Sequence, residues 1–571
     1  MLLILLQWCY MAALSFTVGF AALFPFQKKS GYEISQANPY MMAGLLVLNV
    51  YAQYYSLFAG VGLWANLLML FAALAAAVLL RREVAAFFKN WKTKQRPAKT
   101  AVFAALFLMF AYGSSRGYMH YDTGLYHAQS IRWIEEYGVV VGLANLHSRF
   151  GYNSAAFALC AFFGGCGLTE YPMHCTAGFF ALLCAVKCTA LMELPVRKKV
   201  RLSDFLYIGC IFYLVAVFRE LVSPASDYFA MLILFWALMT WTELLERGER
   251  RILPYGLLAE YLVYGATVKL STAGLLVLAL YPGIMLIREK KWKQIVGYLL
   301  LGVGIAFPYL ARNVIISGWL FYPFTFFDVF QVDWKISKGY AQSDAAEIQV
   351  YAKEIFDVYQ KDMPFLQWFP NWLSAQSKLD QLLVLAGWAA VPVGLLLILY
   401  SVVRSLRAER GCGLKTECGR RLAGLEPWAF IPVQAAALIG FFFWQFGAPL
   451  VRYGYFYVLF LPLVTFGALY VRFFSEKKGF RVFLVILVAF LCYRGYNLVN
   501  MVLEFADEPY YVYQQDYGTF DAFTYEVDGV TIYVPESRGQ IGYDKFPSSP
   551  IVQDIELRDG GNLKSGFRKC E

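Results

Sequence analysis

Apolar residues run along this chain in blocks of about 17 to 25, and short stretches rich in lysine and arginine separate the blocks. An α-helix needs about 20 apolar residues to cross roughly 30 Å of hydrocarbon. The pattern therefore predicts an all-α polytopic membrane protein with about fourteen transmembrane helices. We predict them near residues 1–24, 41–58, 61–80, 100–113, 174–194, 205–222, 228–246, 254–268, 270–287, 294–311, 380–403, 427–446, 453–471 and 481–499.

Composition supports this interpretation. The 571 residues are 59% hydrophobic and only 16% charged, with a mean hydropathy of +0.50. Soluble domains are typically about 45 to 50% apolar and about 25% charged. A soluble enzyme, a nucleic-acid-binding protein and a disordered scaffold are therefore excluded.

The net charge of +10 is less informative than the positions of the basic residues. Thirty of the 50 lysines and arginines, against six acidic residues, fall in seven linkers, at 28–29, 81–99, 197–201, 247–251, 288–293, 404–421 and 472–481. Basic linkers stay on the cytoplasmic side of a membrane. All seven can do so only if the apolar run Asn153 to Gly165 does not cross, so we predict a short helix there that dips into the outer interface. The first segment has no basic stretch before it, and we expect it to be retained as a helix.

This topology divides the chain into five regions. Residues 1–99 hold the N-terminal transmembrane helices, and residues 100–311 form a core that includes a first outer loop at 114–173. A second outer loop covers 312–378, the C-terminal transmembrane helices cover 379–499, and an outer tail covers 500–571. The tail carries 13 acidic and 6 basic residues. Its alternating run Val530 to Val534 predicts a small strand-bearing appendage.

The first outer loop carries an acidic residue that is a candidate for catalysis. Asp122 lies just before a helical pattern in which Leu125, Ala128, Ile131 and Ile134 recur at helical spacing as far as Tyr137, so an amphipathic helix on the outer membrane face is expected. One interpretation is that Asp122 is only the N-cap of that helix. The other is that the helix holds this carboxylate at the interface, where it acts as a general base on an acceptor hydroxyl or helps to hold a cation.

Histidines flank the same position. His120 and His127, with Asp122 between them, have residue types that suit zinc or manganese, although nothing fixes a fourth ligand. A divalent metal is thus one interpretation, and interfacial hydrogen bonding by the histidines is the other. The sequence indicates no further cofactor.

Ionisable residues at the outer ends of membrane helices form a second set. Asp227, Lys269, Arg312 and Arg452 all fall there, with Tyr322 among the aromatic neighbours. A charge inside a membrane costs about 2.5 to 3.5 kcal/mol on insertion scales, so such residues are paired or functional. Cations at this level suit a phosphate or pyrophosphate on a lipid. The alternative is that each cation extends to headgroups or pairs with a carboxylate.

Several of these features together resemble the GT-C superfamily of membrane glycosyltransferases. They are an outer loop with an acidic residue and an amphipathic helix (Asp122 to Tyr137), an apolar interfacial helix (Tyr152 to Gly167), and a span that ends in a basic patch. Related families include the protein O-mannosyltransferases and the lipid A aminoarabinose transferases. A bacterial branch of large membrane proteins is more similar still, through Tyr121 to His127, Ala311 to Asn313 and Gly318 to Phe324.

The resemblance implies a function and roles for residues. A sugar would move from a polyprenyl phosphate or pyrophosphate donor to a glycan or lipid acceptor of the cell envelope, at the outer face of a bacterial inner membrane. Asp122 would be the general base and Asp227 a second acid, with Lys269, Arg312 and Arg452 binding the donor phosphate. His120, Tyr126, His127 and Tyr322 would lie near the substrates. Because Thr123 stands where the superfamily often has a second acid, a single base is expected.

Two other functions remain open at this stage. One is a polymerase or ligase that joins preassembled lipid-linked glycans. The other is a transporter of lipid-linked material, which would favour charges near the bilayer midplane and two similar halves. The expected partners are membrane lipids, a lipid-linked donor and an acceptor, with no nucleic acid.

Overall fold

The computed structural model describes residues 1–93, 96–165, 172–409, 425–474, 478–537 and 539–570. Positions 410–421 of the basic linker 404–421, together with Lys94, Lys477 and the end of the predicted interfacial helix at Gly167, lie outside the described residues. The first half of the chain contains the helices α1 (Leu2–Ser30), α2 (Ala37–Ser56), α3 (Leu63–Leu79), α4 (Arg81–Thr93), α5 (Pro97–Ser115), α6 (Ala128–Glu136), α7 (Ala155–Phe162), α8 (Thr176–Cys188), α9 (Leu194–Arg197), α10 (Leu202–Ala216), α11 (Ser226–Glu246) and α12 (Ile252–Val268).

The second half of the chain is also mainly helical. It contains α13 (Leu280–Arg288), α14 (Trp292–Ser317), α15 (Lys338–Ala352), α16 (Phe365–Ala375), α17 (Lys378–Glu409), α18 (Pro427–Gly447), α19 (Val451–Phe474) and α20 (Lys478–Glu504). Four short strands follow: β1 (Ala522–Val527), β2 (Val530–Pro535), β3 (Ile555–Leu557) and β4 (Phe567–Lys569).

The chain is an integral membrane protein. Ten helical segments of its described part are long and apolar enough to cross a membrane, or eleven if the pair α3 and α4, bent by 78°, is one span. The other four predicted segments fall on that pair and on α2, α10 and α12. The last two have 15 and 17 residues, which gives only about 22 to 26 Å of helix. They are apolar but shorter than the ten long segments.

The two ends of helix α1 mark the two ends of the helical bundle. At the basic end, Arg251 donates to the carbonyl of Gly31 at 2.7 Å, so that two distant basic linkers meet. At the opposite end, which we call the tail end, the amino group of Met1 donates to the carbonyl of Tyr513 at 2.8 Å. This arrangement agrees with linkers that share one side of the membrane.

The predicted interfacial helix is a short one inside the protein. Every residue of α7 is buried, and the helix packs against α2, α6 and α12. The predicted amphipathic helix is α6, which packs on α7. Because the tail covers its other side, α6 lies inside the protein and not on a membrane surface.

The tail folds as two small antiparallel ladders. In the first, β1 pairs with β2 so that Val527 faces Val530, and the turn Asp528-Gly529 has positive φ at both positions, as tight hairpins prefer. This confirms the strand predicted at Val530 to Val534. In the second, β3 pairs with β4. The tail docks on the first outer loop through Phe567, whose backbone N–H donates to the carbonyl of Val141 at 2.9 Å.

Candidate functional site

Asp122 lies at a local irregularity of the backbone. It is followed by a single π-helical turn, Thr123–His127, which continues directly into α6. Such turns are rare and frequently occur at functional sites. The Asp122 side chain makes no capping hydrogen bond, so it is not a simple N-cap. Its Oδ2 instead accepts a hydrogen bond from Arg452 Nη2 at 3.1 Å.

Asp227 lies in the first turn of α11 and is buried, with its side chain 9% exposed. Two cations contact its carboxylate. Lys269 Nζ forms an ion pair with Oδ1, and Arg452 Nε lies 3.4 Å from Oδ2. Arg452, in the first turn of α19, thus joins the two carboxylates that the sequence placed 105 residues apart.

Lys269 reaches this position through a break between two helices. Its backbone is extended (φ −154°, ψ 122°) between α12 and a 3-10 helix at Leu270–Ala279. The ammonium group lies 3.8 Å from the centroid of the Tyr453 ring, over which the guanidinium of Arg452 also lies, at 5.0 Å. A cation over an aromatic face is stabilised electrostatically.

We call Asp122, Asp227, Lys269 and Arg452 the charged cluster. Two carboxylates face two cations, so its formal charge is balanced. Asp122 and Arg452 have side chains 25% and 27% exposed, whereas Asp227 is nearly buried. The Lys269 side chain is 22% exposed, so a ligand that approaches the cluster meets Asp122, Arg452 and Lys269 before Asp227.

The two nearby histidines are neutral at ordinary pH. Burial and the charge of Arg452 lower the pKa of His120 to about 4, although Asp122 opposes the shift. Burial lowers the pKa of His127 to about 3. His120 positions Asp122, because its Nδ1 accepts from the backbone N–H of Asp122 at 3.1 Å. His127 Nδ1 contacts Thr123 Oγ1 at 3.3 Å inside the π-helical turn.

Asp122 itself is held in its ionised form. Burial acts to raise its pKa, but His127, Arg452 and His120 together bring the pKa below the ordinary value. Because both histidines are neutral above about pH 4, Arg452 supplies the positive charge that persists at neutral pH. The basicity of Asp122 therefore depends on whether the guanidinium of Arg452 stays bonded to its carboxylate.

Tyr126 and Tyr322 belong to a second polar group beside the charged cluster. The rings of Tyr126 and Tyr152 lie 6.3 Å apart, and those of Tyr152 and Tyr322 lie 5.8 Å apart. Both Tyr152 and Tyr322 donate their hydroxyls to Oδ2 of Asp344, at 2.6 and 2.8 Å. Asp344 lies in the polar helix α15, where no sequence pattern distinguished it from its solvated neighbours.

Arg312 is not in contact with the charged cluster. It is 2% exposed and donates to Oδ1 of Asn153 at 3.1 Å and to Oγ of Ser56. Among the described residues, no carboxylate lies within ion-pair distance of it. The connection to the cluster is indirect: Ser154, next to Asn153, donates to the carbonyl of Val268 at 2.8 Å, directly before Lys269.

The tail covers the π-helical turn. The backbone N–H groups of Ile541 and Gly542 both donate to the carbonyl of Gly124, at 2.9 and 3.0 Å, and Gln540 Nε2 donates to the carbonyl of Tyr121 at 2.8 Å. Sequence reasoning assigned the tail no part in the site. Nothing in its residue types could have indicated this contact, which depends on backbone atoms.

Metal-ligating side chains do not gather at this site. Within the described ranges, no group of three or more histidine, cysteine, aspartate or glutamate side chains is placed to hold a metal ion. The spacing of His120, Asp122 and His127 brings these three near one another, but Oδ2 of Asp122 lies 3.7 Å from His120 Nδ1 and 3.1 Å from Arg452 Nη2. A guanidinium occupies the position that a cation would take.

Comparisons with known proteins identify a family. No curated protein and no solved structure gives a significant match to the chain. One family model, described as a domain of unknown function (DUF8201), matches residues 1–459. The match includes all four residues of the charged cluster and ends within α19, so that the tail lies beyond it. The chain belongs to the DUF8201 family.

Proposed function

We propose that this protein is a membrane glycosyltransferase of the GT-C type. It would transfer a sugar from a polyprenyl phosphate or pyrophosphate donor to an acceptor of the cell envelope, with the tail end of the bundle at the outer leaflet of a bacterial inner membrane. The observation that carries the proposal is the charged cluster. Four ionisable side chains from four separate parts of the chain converge at the end of the bundle opposite the basic linkers.

The two cations suit the phosphate of the donor. Arg452 is a fork of several donors with an exposed face, and guanidinium binds phosphate oxygens in a bidentate manner. Lys269 adds a second positive charge beside it. When a phosphate accepts hydrogen bonds from Arg452, the guanidinium stabilises the Asp122 carboxylate less. The basicity of that carboxylate then rises. Donor binding would thus activate the base.

Sugar transfer would be a displacement at the anomeric carbon. The acceptor hydroxyl gives its proton to the Asp122 carboxylate while its oxygen forms a bond to the anomeric carbon. The bond from that carbon to the phosphate oxygen breaks, and the lipid phosphate leaves with the electron pair. Lys269 and Arg452 neutralise the charge that develops on it, so no acid is needed on the donor side. Asp227 keeps the two cations in place.

A transfer assay with a matched control tests this function. The purified protein would receive polyprenyl-phosphate-linked sugars and envelope acceptors, and Asp122→Asn would be compared with Asp333→Asn. Asp333 is an acid that pairs with Arg558 of the tail. We expect Asp122→Asn to lower the transfer rate by a factor of about 10² to 10⁴. Asp333→Asn should leave the transfer rate unchanged. Full activity of Asp122→Asn would refute the role of the base, and movement of lipid-linked sugar without covalent product would instead indicate a transporter.

A further inference from the structure

The last transmembrane helix stands away from its neighbours along its middle. At the basic end, the ring of Phe483 lies 5.2 Å from that of Phe205, and at the tail end the hydroxyl of Tyr112 donates to the carbonyl of Val502 at 2.8 Å. Between these contacts, α20 is separated from α5, α8 and α10 by a cavity of about 500 Å³. The cavity follows α20 from Leu484 to Leu498, which is about 21 Å of helix.

The walls of this cavity are almost wholly apolar. Its lining includes Leu106 of α5, Ala185 of α8, Leu214 of α10 and Leu491 of α20, and Leu491 is 38% exposed. A cavity that is apolar, elongated and open towards the membrane is filled by hydrocarbon, since water finds no polar partners there.

One charged side chain lies in the cavity wall. Arg494 is 8% exposed, and its Nη2 donates to the carbonyl of Phe212 at 2.7 Å. Its Nε is buried and has no acceptor among the described residues. No described carboxylate forms an ion pair with it either. The guanidinium also lies over the ring of Phe212, 4.5 Å from its centroid, but this contact supplies no anion. A guanidinium in a membrane helix without an anion is costly, and such residues are commonly functional.

The depth of Arg494 identifies the part of the ligand that it meets. Arg494 lies ten residues before the end of α20 at Glu504, which is about 15 Å of helix. The polar interface of a bilayer leaflet is only about 5 to 7 Å thick beyond the hydrocarbon. Arg494 therefore lies below the ordinary level of the headgroups, and the group that it meets is the phosphate or an ester oxygen of a lipid that enters the cavity.

We propose that this cavity is a binding site for an anionic glycerophospholipid of the leaflet at the tail end. One acyl chain lies along α20 between α5 and α10, and a phosphate or ester oxygen accepts from Arg494 Nε. The lipid would fill the gap that α20 leaves and would supply the anion that the protein does not. This proposal does not depend on glycosyl transfer.

Photolabelling in vesicles tests the site. The full-length protein would be reconstituted in phosphatidylethanolamine vesicles that contain phosphatidylglycerol with a diazirine on one acyl chain, and adducts would be mapped by mass spectrometry. We expect labels on the peptides that carry Leu106 and Leu491. Ala185→Phe and Val488→Trp both place bulk in the cavity and should remove most of this labelling. Ala104→Phe, at an exposed position of α5, should not.

A second comparison tests the role of the cation. Arg494→Gln should lower the preference for labelled phosphatidylglycerol over labelled phosphatidylethanolamine about tenfold, the effect of losing one charge-assisted hydrogen bond. Equal labelling in Ala185→Phe, Val488→Trp and Ala104→Phe would refute the proposed lipid site. Displacement of the label by polyprenyl phosphate but not by excess phosphatidylglycerol would also overturn it, because the cavity would then belong to a different lipid.

Discussion

Arg452 donates from Nη2 to Oδ2 of Asp122 across 3.1 Å, and this contact joins two residues that are 330 positions apart in the chain. The same guanidinium also contacts Asp227 through Nε. One planar group therefore holds two carboxylates apart at a fixed geometry. A lysine at this position lacks the planar fork, so it could not place two separate nitrogens against the two carboxylates.

Replacing Arg452 should accordingly impair transfer strongly. We expect Arg452→Gln and Arg452→Lys both to lower the transfer rate by about 10² to 10³, the usual effect of removing one preorganised charge-stabilising donor. Arg558→Gln, which removes a tail cation paired with Asp333, is the control. Near-complete activity of Arg452→Lys would mean that only the charge is needed and not the bridge.

Lys269 and Asp227 should be coupled in stability but not in activity. Lys269→Met leaves the buried carboxylate with one cation fewer, and breaking such a pair costs about 3 to 5 kcal/mol. The double variant Lys269→Met with Asp227→Leu should recover much of the free energy of unfolding, measured by thermal denaturation in detergent. Transfer should remain absent in both. Recovery of transfer in the double variant would exclude Lys269 from donor binding.

Acid should destabilise the protein through its buried histidines. His127 has a folded-state pKa of about 3, against about 6.5 in the unfolded chain. Its contribution to stability is therefore complete above pH 6.5 and is lost as the pH falls from 6.5 towards 3. The slope approaches about 1.4 kcal/mol per pH unit for this residue.

The slope can be measured directly. Thermal denaturation of the wild type and of His127→Gln at successive pH values should give a shallower loss in the variant. Identical slopes would show that His127 does not govern the response to acid.

Docking of the tail should depend on Gly142. This residue has φ 63°, and a Cβ there would lie 2.0 Å from the carbonyl oxygen of Phe567 in β4. Gly142→Ala should release the tail, which trypsin would then cleave sooner. Gly529→Ala is the matched control, because φ there is 82° but the surrounding space is open. Both variants carry the left-handed strain of about 1 to 2 kcal/mol, so faster cleavage in Gly142→Ala alone would isolate the clash.

Arg312 offers a direct test of its expected role as a phosphate ligand. Because it is buried and bonded to Asn153 and Ser56, we expect Arg312→Met to lower the free energy of unfolding by about 2 kcal/mol, through two lost bonds to a charged group. The transfer rate per folded molecule should change little. A tenfold increase of KM for the donor at unchanged stability would instead support Arg312 as a ligand.

Much of the architecture was accessible from the sequence because it depends on local properties. Hydrophobic blocks of membrane-crossing length determine helices wherever they occur, and every predicted segment coincides with a helix. The alternation at Val530 to Val534 likewise predicted β2. What could not be predicted is the length of each helix: α10 and α12 have 15 and 17 residues, fewer than the ten long apolar segments.

The site divides in the same way. The sequence by itself determined that Asp122, Asp227, Lys269, Arg312 and Arg452 need partners, since the cost of an isolated charge in or near a membrane is a property of the side chain. Only the tertiary structure decided how they pair. Arg452 turned out to be the bridge, whereas Arg312 bonds to neutral groups, and backbone atoms of the tail cover the π-helical turn. Partners separated by hundreds of residues are selected by packing, and no local pattern carries that information.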